Sequence, residues 1–182
     1  NRPVTEIKQV SEGVLVSTEN ETFSADKLVL SVPISVISKI EFSPALPEEF
    51  QHAIAVTKLG SAAKLSAVLT EEPPLLAKQD SDAPYWCWTG QVRDGPSKKA
   101  ISAFCGSEHA RDQLKTSEKD DDTWFESIQE NCPELRFSGQ YVKKDWVDDP
   151  WVMGSYTVMT NEAFTAVNIF SKPFHHIHFA GE

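Results

Sequence analysis

Several signatures that would each point to a function class are missing from this chain. No cluster of Lys or Arg is longer than two residues, and the 27 acidic residues outnumber the 17 basic ones, for a formal net charge of -10. With a pI near 5.0 there is no basic face to neutralise phosphates, so no nucleic-acid partner is expected. No apolar stretch approaches the roughly 20 residues that cross a bilayer, and the first residues lack the charged-then-apolar form of a signal peptide. No membrane span is expected in this segment. Cysteine is scarce: Cys87, Cys105 and Cys132 are odd in number, widely spaced and without a Cys-x-x-Cys. That usage suits reduced thiols in a cytoplasmic protein better than a disulfide framework. The sequon Asn20-Glu21-Thr22 sits in an expected turn, and three-residue matches are too frequent by chance to move the compartment. Gly-x-Ser-x-Gly is absent, which argues against a Ser-His-Asp hydrolase. Gly-x-Gly-x-x-Gly is absent too, so nothing here supplies the helix N-terminus and close backbone approach that bind a pyrophosphate. His176 and His178 would share one strand face beside His175, but no nearby Cys, Asp or Glu completes a ligand set, and no metal is expected.

What is present is ordinary globular material. With 40% hydrophobic and 24% charged residues, a chain of this size buries roughly two thirds of its unfolded surface. Residues 4–9 and 13–17 alternate as half-buried strands, and 27–32 is a short continuous apolar run of the fully buried kind, stopped by Pro33. Residues 48–56 read as a helix with Phe50, Ala53 and Ile54 on one side. Residues 61–70 alternate again, with Ala63, Leu65, Ala67 and Leu69 on one face, so Lys64 leaves the strand on the opposite face. Strands are expected at 85–92 and 100–105 with Asp94-Gly95 as the turn between them, and helices at 107–115 and 123–131. The triplet Asp120-Asp121-Asp122 reads as helix-start chemistry. A strand at 139–146, a helix at 162–170 and a strand at 175–179 complete an α+β (mixed α/β) chain with two packing centres.

Three segments carry chemistry-bearing residues: Arg2-Pro3-Val4-Thr5-Glu6-Ile7, Leu59-Gly60-Ser61-Ala62-Ala63-Lys64, and the aromatic-rich stretch from Trp146 through Asp149-Pro150-Trp151 to Gly154-Ser155-Tyr156. In this order they resemble the flavin-containing amine oxidases, the family of monoamine and polyamine oxidases. The middle, 73–137, matches only in style. The resemblance implies that 1–55 is part of an FAD-binding domain, 56–150 a mixed-sheet domain covering the substrate, and 151–182 the return into the FAD-binding domain. It implies a small-molecule amine and oxygen as reactants, and a larger protein of which this chain is a piece, since Phe179-Ala180-Gly181-Glu182 ends where a nucleotide-binding loop would normally begin.

The resemblance also assigns residues. Lys64 corresponds to a lysine that holds a water beside flavin N5; the bland alternative is a solvated lysine on a sheet edge. Trp146 would lie against the isoalloxazine ring, and Tyr156 would form one wall of an aromatic cage that aligns the amine. Both could instead be packing aromatics. Val4 would meet the adenine through its backbone, and Gly181 and Glu182 would contact the ribityl and pyrophosphate region. Ser155 stands where monoamine oxidases carry a cysteine bonded to the flavin. A serine cannot form that thioether, so the FAD is expected to be non-covalent. Two other readings remain at this stage: a binding or scaffold protein that keeps the fold without turnover, and a chromatin-type lysine demethylase of the same superfamily. Substrate choice is expected to rest on Tyr85, Trp86, Trp88 and Phe104.

Overall fold

The alternation at the start of the chain becomes an antiparallel ladder. Val4–Val10 pairs with Gly13–Thr18, which pairs with Thr22–Ala25, and Glu41–Ser43 adds in parallel to the other side of the first strand. This mixed four-stranded sheet belongs to the first of two units into which the chain divides, formed by residues up to Leu59 and from Trp151 onward; the second is Gly60–Pro150. The structure, a computed structural model, describes residues 2–91 and 97–181. The expected Asp94-Gly95 turn, the end of the 85–92 strand at Val92, and Glu182 lie outside the described residues.

In the first unit, the helix Glu48–Val56 carries two glutamates in its first turn, where they meet the positive end of the helix dipole. Phe50 and Ala53 are buried. The Phe50 ring stacks on Phe179 at 5.2 Å between centroids and meets Phe170 edge-on at 6.0 Å. Two short pairs complete the unit: Leu28–Leu30 lies parallel to Ile177–Phe179, and Lys58–Leu59 antiparallel to Thr157–Val158. Two expectations change here. The run 27–32 forms only a three-residue strand paired on one side, so Val29 is 62% exposed where a fully buried run was expected. His176 precedes the last strand, its N–H donating to the Gln9 side chain, so it does not share a strand face with His178.

The second unit is a five-stranded sheet with all pairings antiparallel, in the order Phe137–Asp145, Ala63–Leu69, Ser97–Cys105, Trp86–Gln91, Ala77–Gln79. Helix Glu108–Gln113 with its C-cap Leu114, and helix Thr123–Asn131, supply Ala110, Leu114, Trp124, Phe125 and Ile128 to the core under one face. The first helix starts at Ser107, whose Oγ accepts from the Ala110 N–H. The second begins after the aspartate triplet, where Asp121 Oδ1 accepts from the Thr123 N–H at 2.9 Å. Ala63, Leu65, Ala67 and Leu69 are all at most 2% exposed, whereas Lys64 and Val68 are exposed.

Trp124 is fully buried in this core and its indole N–H has no hydrogen-bond partner. Trp124→Ala is expected to cost the second unit about 3–5 kcal/mol through the cavity it leaves. Trp124→Phe keeps most of the packing and removes the unpaired donor, so it should cost clearly less. Urea denaturation followed by far-UV circular dichroism checks both, and equal costs would contradict this account of the site.

Candidate functional site

The strand Ala63–Leu69 is bonded on both sides, and its register fixes which side chains stand beside Lys64. Lys144 faces it on one neighbour and Phe104 on the other, with Trp86 opposite Phe104 and Gln79 opposite Trp86. These residues form one row across the face that the helices leave open. The next row is Val142, Ser66, Ser102, Trp88 and Ala77, held by a 3.0 Å bond between the Ser66 and Ser102 hydroxyls. Trp86 and Phe104 pack ring to ring at 4.6 Å. Of the four aromatics expected to govern substrate choice, Trp86, Trp88 and Phe104 therefore share the face of Lys64. Tyr85 does not: it is 3% exposed, against Trp124, with its hydroxyl 3.0 Å from Ser127 Oγ.

Lys64 and Lys144 are like charges directly opposite each other, an arrangement that destabilises a ladder unless each finds a partner. Lys144 makes a close ion pair with Asp149. Lys64 Nζ stands 5.9 Å from the centre of the Trp146 ring, within reach of a cation–π contact. The Trp146 backbone N–H donates to Ala62 O, which holds the chain at this point, and Ala62 and Ala63 are buried beside it. The structure thus brings Lys64 and Trp146 together.

The residue before Trp146 anchors this end of the sheet, and sequence reading missed it. Asp145 Oδ2 accepts from Arg111 Nε at 2.7 Å and from Thr116 Oγ1 at 2.5 Å, and Oδ1 accepts from the Val147 N–H at 2.9 Å. Both side chains of the pair are nearly buried, at 10% and 5% exposure. Burial alone would raise the Asp145 pKa, but the bonds from Arg111, Thr116 and Val147 outweigh it and hold the carboxyl below its usual range. Arg111 gave no signal because it lies 34 residues away, on a helix whose pattern marks only its apolar side.

In the first unit, a groove of about 480 Å³ opens where the parallel strands Leu28–Leu30 and Ile177–Phe179 end. The carboxyl ends of parallel strands are where open sheets bind ligands. Ser31, Pro33, Thr57, Ser155, Phe179 and Gly181 are among its lining residues. Gly181 has φ +114°, a conformation that favours glycine. Gly154 is fixed by contact instead: a Cβ there would lie 2.3 Å from Leu59 Cβ. This close approach seats Ser155, whose Oγ is buried and has no hydrogen-bond partner. Tyr156, next along, is 48% exposed. Val4 lies at the start of the first strand, opposite Thr18, with its side chain against the core.

The sequence profile of the family described as flavin containing amine oxidoreductase matches residues 1–182. The chain belongs to this family. It is 26% identical over 202 residues to amine oxidase [flavin-containing] B of Canis lupus familiaris, covering 99% of this chain and 37% of that protein. It is 27% identical over 157 residues to nicotine dehydrogenase of Pseudomonas putida, covering 85% of this chain and 31% of that protein. The chain therefore spans about a third of the length of these relatives. Among solved structures, a triple mutant of putrescine oxidase superposes with a TM-score of 0.79 at 20% identity, over 100% of this chain and 42% of that one. Cyclohexylamine oxidase from Brevibacterium oxydans gives 0.78 at 17% identity, over 98% and 42%. At these identities the structural likeness speaks for the fold.

Asp145→Asn removes the closer of the two carboxylates that Arg111 meets and leaves only Asp148, at 3.5 Å and half exposed, to offset the nearly buried charge, which is expected to cost about 3 kcal/mol at neutral pH. Because the folded carboxyl titrates below its unfolded value of about 3.9, its contribution is present above that pH and is lost as pH falls through the folded value. Urea titrations at pH 7, 5 and 3, followed by tryptophan fluorescence, should show wild type and variant converging at the acid end. Parallel curves would rule out this carboxylate as the source.

Proposed function

We propose that this chain is the substrate-covering portion, with parts of the FAD-binding domain, of a longer FAD-dependent amine oxidase that holds its flavin without a covalent bond. The observation that carries the reading is the groove at the carboxyl ends of the parallel strands, with the unpaired Ser155 hydroxyl buried in it. Its volume lies within the roughly 300–1,000 Å³ common to small-molecule sites, and its lining is mainly apolar with a few polar atoms, as a flat heteroaromatic ring requires. An orphaned hydroxyl in such a groove is suited to a ligand that returns a hydrogen bond. The residues present therefore fit a flavin, while the pyrophosphate-binding glycine motif has to come from elsewhere in the protein.

Bound FAD would supply the redox step, taking a hydride from the carbon beside the amine nitrogen at N5 and passing the electrons to oxygen as hydrogen peroxide, while the imine is hydrolysed. The chain's own residues supply position and electrostatics. Lys64 presents a fixed ammonium, held against Trp146, that orients a water and stabilises negative charge developing near it. Trp146 offers an aromatic face, and the exposed Tyr156 ring aligns the amine. Gly181 allows close backbone approach, and Val4 contributes backbone groups only. Trp86, Trp88 and Phe104 receive the apolar part of the amine. Anaerobic addition of an amine panel to the complete yellow protein tests the reading as a whole: at least one amine should bleach the flavin spectrum, and no bleaching by any of them would contradict it.

The non-covalent link rests on Ser155, and acid precipitation of the complete protein should release the yellow colour into the supernatant. Colour retained by the washed pellet would show a covalent bond.

Lys64→Met in the complete protein is expected to slow the return of yellow colour under oxygen by roughly tenfold or more, a barrier change of at least about 1.4 kcal/mol. Anaerobic bleaching by amine should change less. Stopped-flow traces of the two half-reactions separate these effects, and wild-type rates in both would make Lys64 a solvated strand lysine.

A further inference from the structure

Cys87 and Cys132 play no part in the proposed reaction, yet they lie together. Cys87 points into the core of the second unit from the strand Trp86–Gln91, and Cys132 caps the C-terminal end of the helix Thr123–Asn131. Their sulfurs are 3.7 Å apart, and both residues are fully buried. Lys78 stands directly opposite Cys87 in the ladder, and its ammonium donates to Asn131 O, on the residue next to Cys132. A buried thiol pair beside a lysine is more than two small packing residues, because the positive charge favours a thiolate. We propose that Cys87 and Cys132 are a peroxide-reactive dithiol that closes to a disulfide, tying the end of this helix to the strand that carries Trp86 and Trp88.

The chemistry balances with one hydroperoxide. The Cys87 thiolate attacks an oxygen of hydrogen peroxide, the O–O bond breaks, and the departing hydroxide takes a proton to become water. The Cys132 sulfur then attacks the sulfenic acid at Cys87, the S–O bond breaks, and a second water leaves with the Cys132 proton. Two thiols lose two electrons in all, and peroxide is reduced to two waters. The order of events follows from the local charges. The thiol–thiol hydrogen bond, opposed by burial and aided by Lys78, holds Cys87 below the ordinary thiol range. The same bond and burial push Cys132 up.

Closing the gap from 3.7 Å to a bond of about 2.05 Å needs side-chain rotation at a helix end, where Asn131 before Cys132 is half-buried and Pro133 and Glu134 after it are exposed. Fraying of that last turn admits an oxidant the size of peroxide. Cys105 provides the internal contrast: it is equally buried, but burial raises its thiol to about 11. The inference needs only added peroxide, so it stands or falls separately from the oxidase reading, under which peroxide is also the product.

The test treats the folded chain with hydrogen peroxide, quenches it, and counts thiols after denaturation. The titratable thiols should fall from three to one, the intact mass should drop by about 2 Da, and the mapped cross-link should join Cys87 to Cys132. Dithiothreitol should restore all three. Cys105→Ser should still form the cross-link, whereas Cys132→Ser should stop at an oxygen adduct on Cys87. Three thiols surviving peroxide, a cross-link through Cys105, or adducts without a cross-link in the unaltered chain would each overturn the proposal.

Discussion

Hydrogen bonding on both sides of the strand Ala63–Leu69 is the constraint from which the rest of the second unit follows. A strand places successive side chains on opposite faces, and a shift of one residue would send Ala63, Leu65, Ala67 and Leu69 into solvent together. Four side chains at most 2% exposed make that slip prohibitive. Lys64 is consequently held on the open face, and the two neighbouring ladders then dictate that Lys144 and Phe104 flank it. Its surroundings are set by register, with no contribution needed from its own side chain.

A second constraint acts at the end of that strand. A lysine held by the sheet needs its aromatic neighbour held as well, and Trp146 lies where the ladder stops. The Asp145 carboxylate ties the segment at that point to Arg111 and Thr116, and its bond to the Val147 N–H shapes the turn that follows. The nearly buried charge pair costs desolvation, but its three donors leave the carboxylate well satisfied. In the first unit a steric device does comparable work. Gly154 lies so close to Leu59 that no side chain fits, and this contact directs the next residue, Ser155, into the groove.

Elements stabilised by a strong local period were legible in the sequence. The helices Glu48–Val56 and Thr123–Asn131 coincide with the ranges their apolar spacing predicts, and the strand containing Lys64 shows the expected alternation. Thr22–Ala25 escaped notice because all four of its residues are exposed, so no apolar alternation marks it. The helix expected at 162–170 splits into Asn161–Ala166 and a 3₁₀ turn at Val167–Ser171, a change of pitch that apolar spacing does not reveal. Among the candidate site residues, Tyr85, Trp86, Trp88 and Phe104 were grouped together from the sequence, and the structure separates Tyr85, which turns into the core, from the other three. Which face was open depended on where the helices pack, and that is decided by Trp124 and Ile128, far along the chain. Arg111 with Asp145, and Cys87 with Cys132, are invisible for the same reason, since each pair is made by tertiary packing between residues with no local relation.

The open face has a further consequence for the proposed chemistry. It combines an aromatic pair with two ammonium groups in a single row, and Trp86, Val68 and Val142 remain 44%, 43% and 71% exposed. Such a surface is attractive to apolar groups and repels free cations; of its two charges, Lys144 is offset by Asp149 while Lys64 leans on an aromatic ring. On the proposed reading, an amine approaching Lys64 is favoured in its neutral form, because a protonated nitrogen would meet a like charge. Hydride loss from the adjacent carbon requires that same neutral form, whose lone pair can stabilise the electron-poor carbon. On the proposed reading, the lysine that orients water thus also selects the protonation state of the substrate, and both tasks follow from the strand register that puts it there.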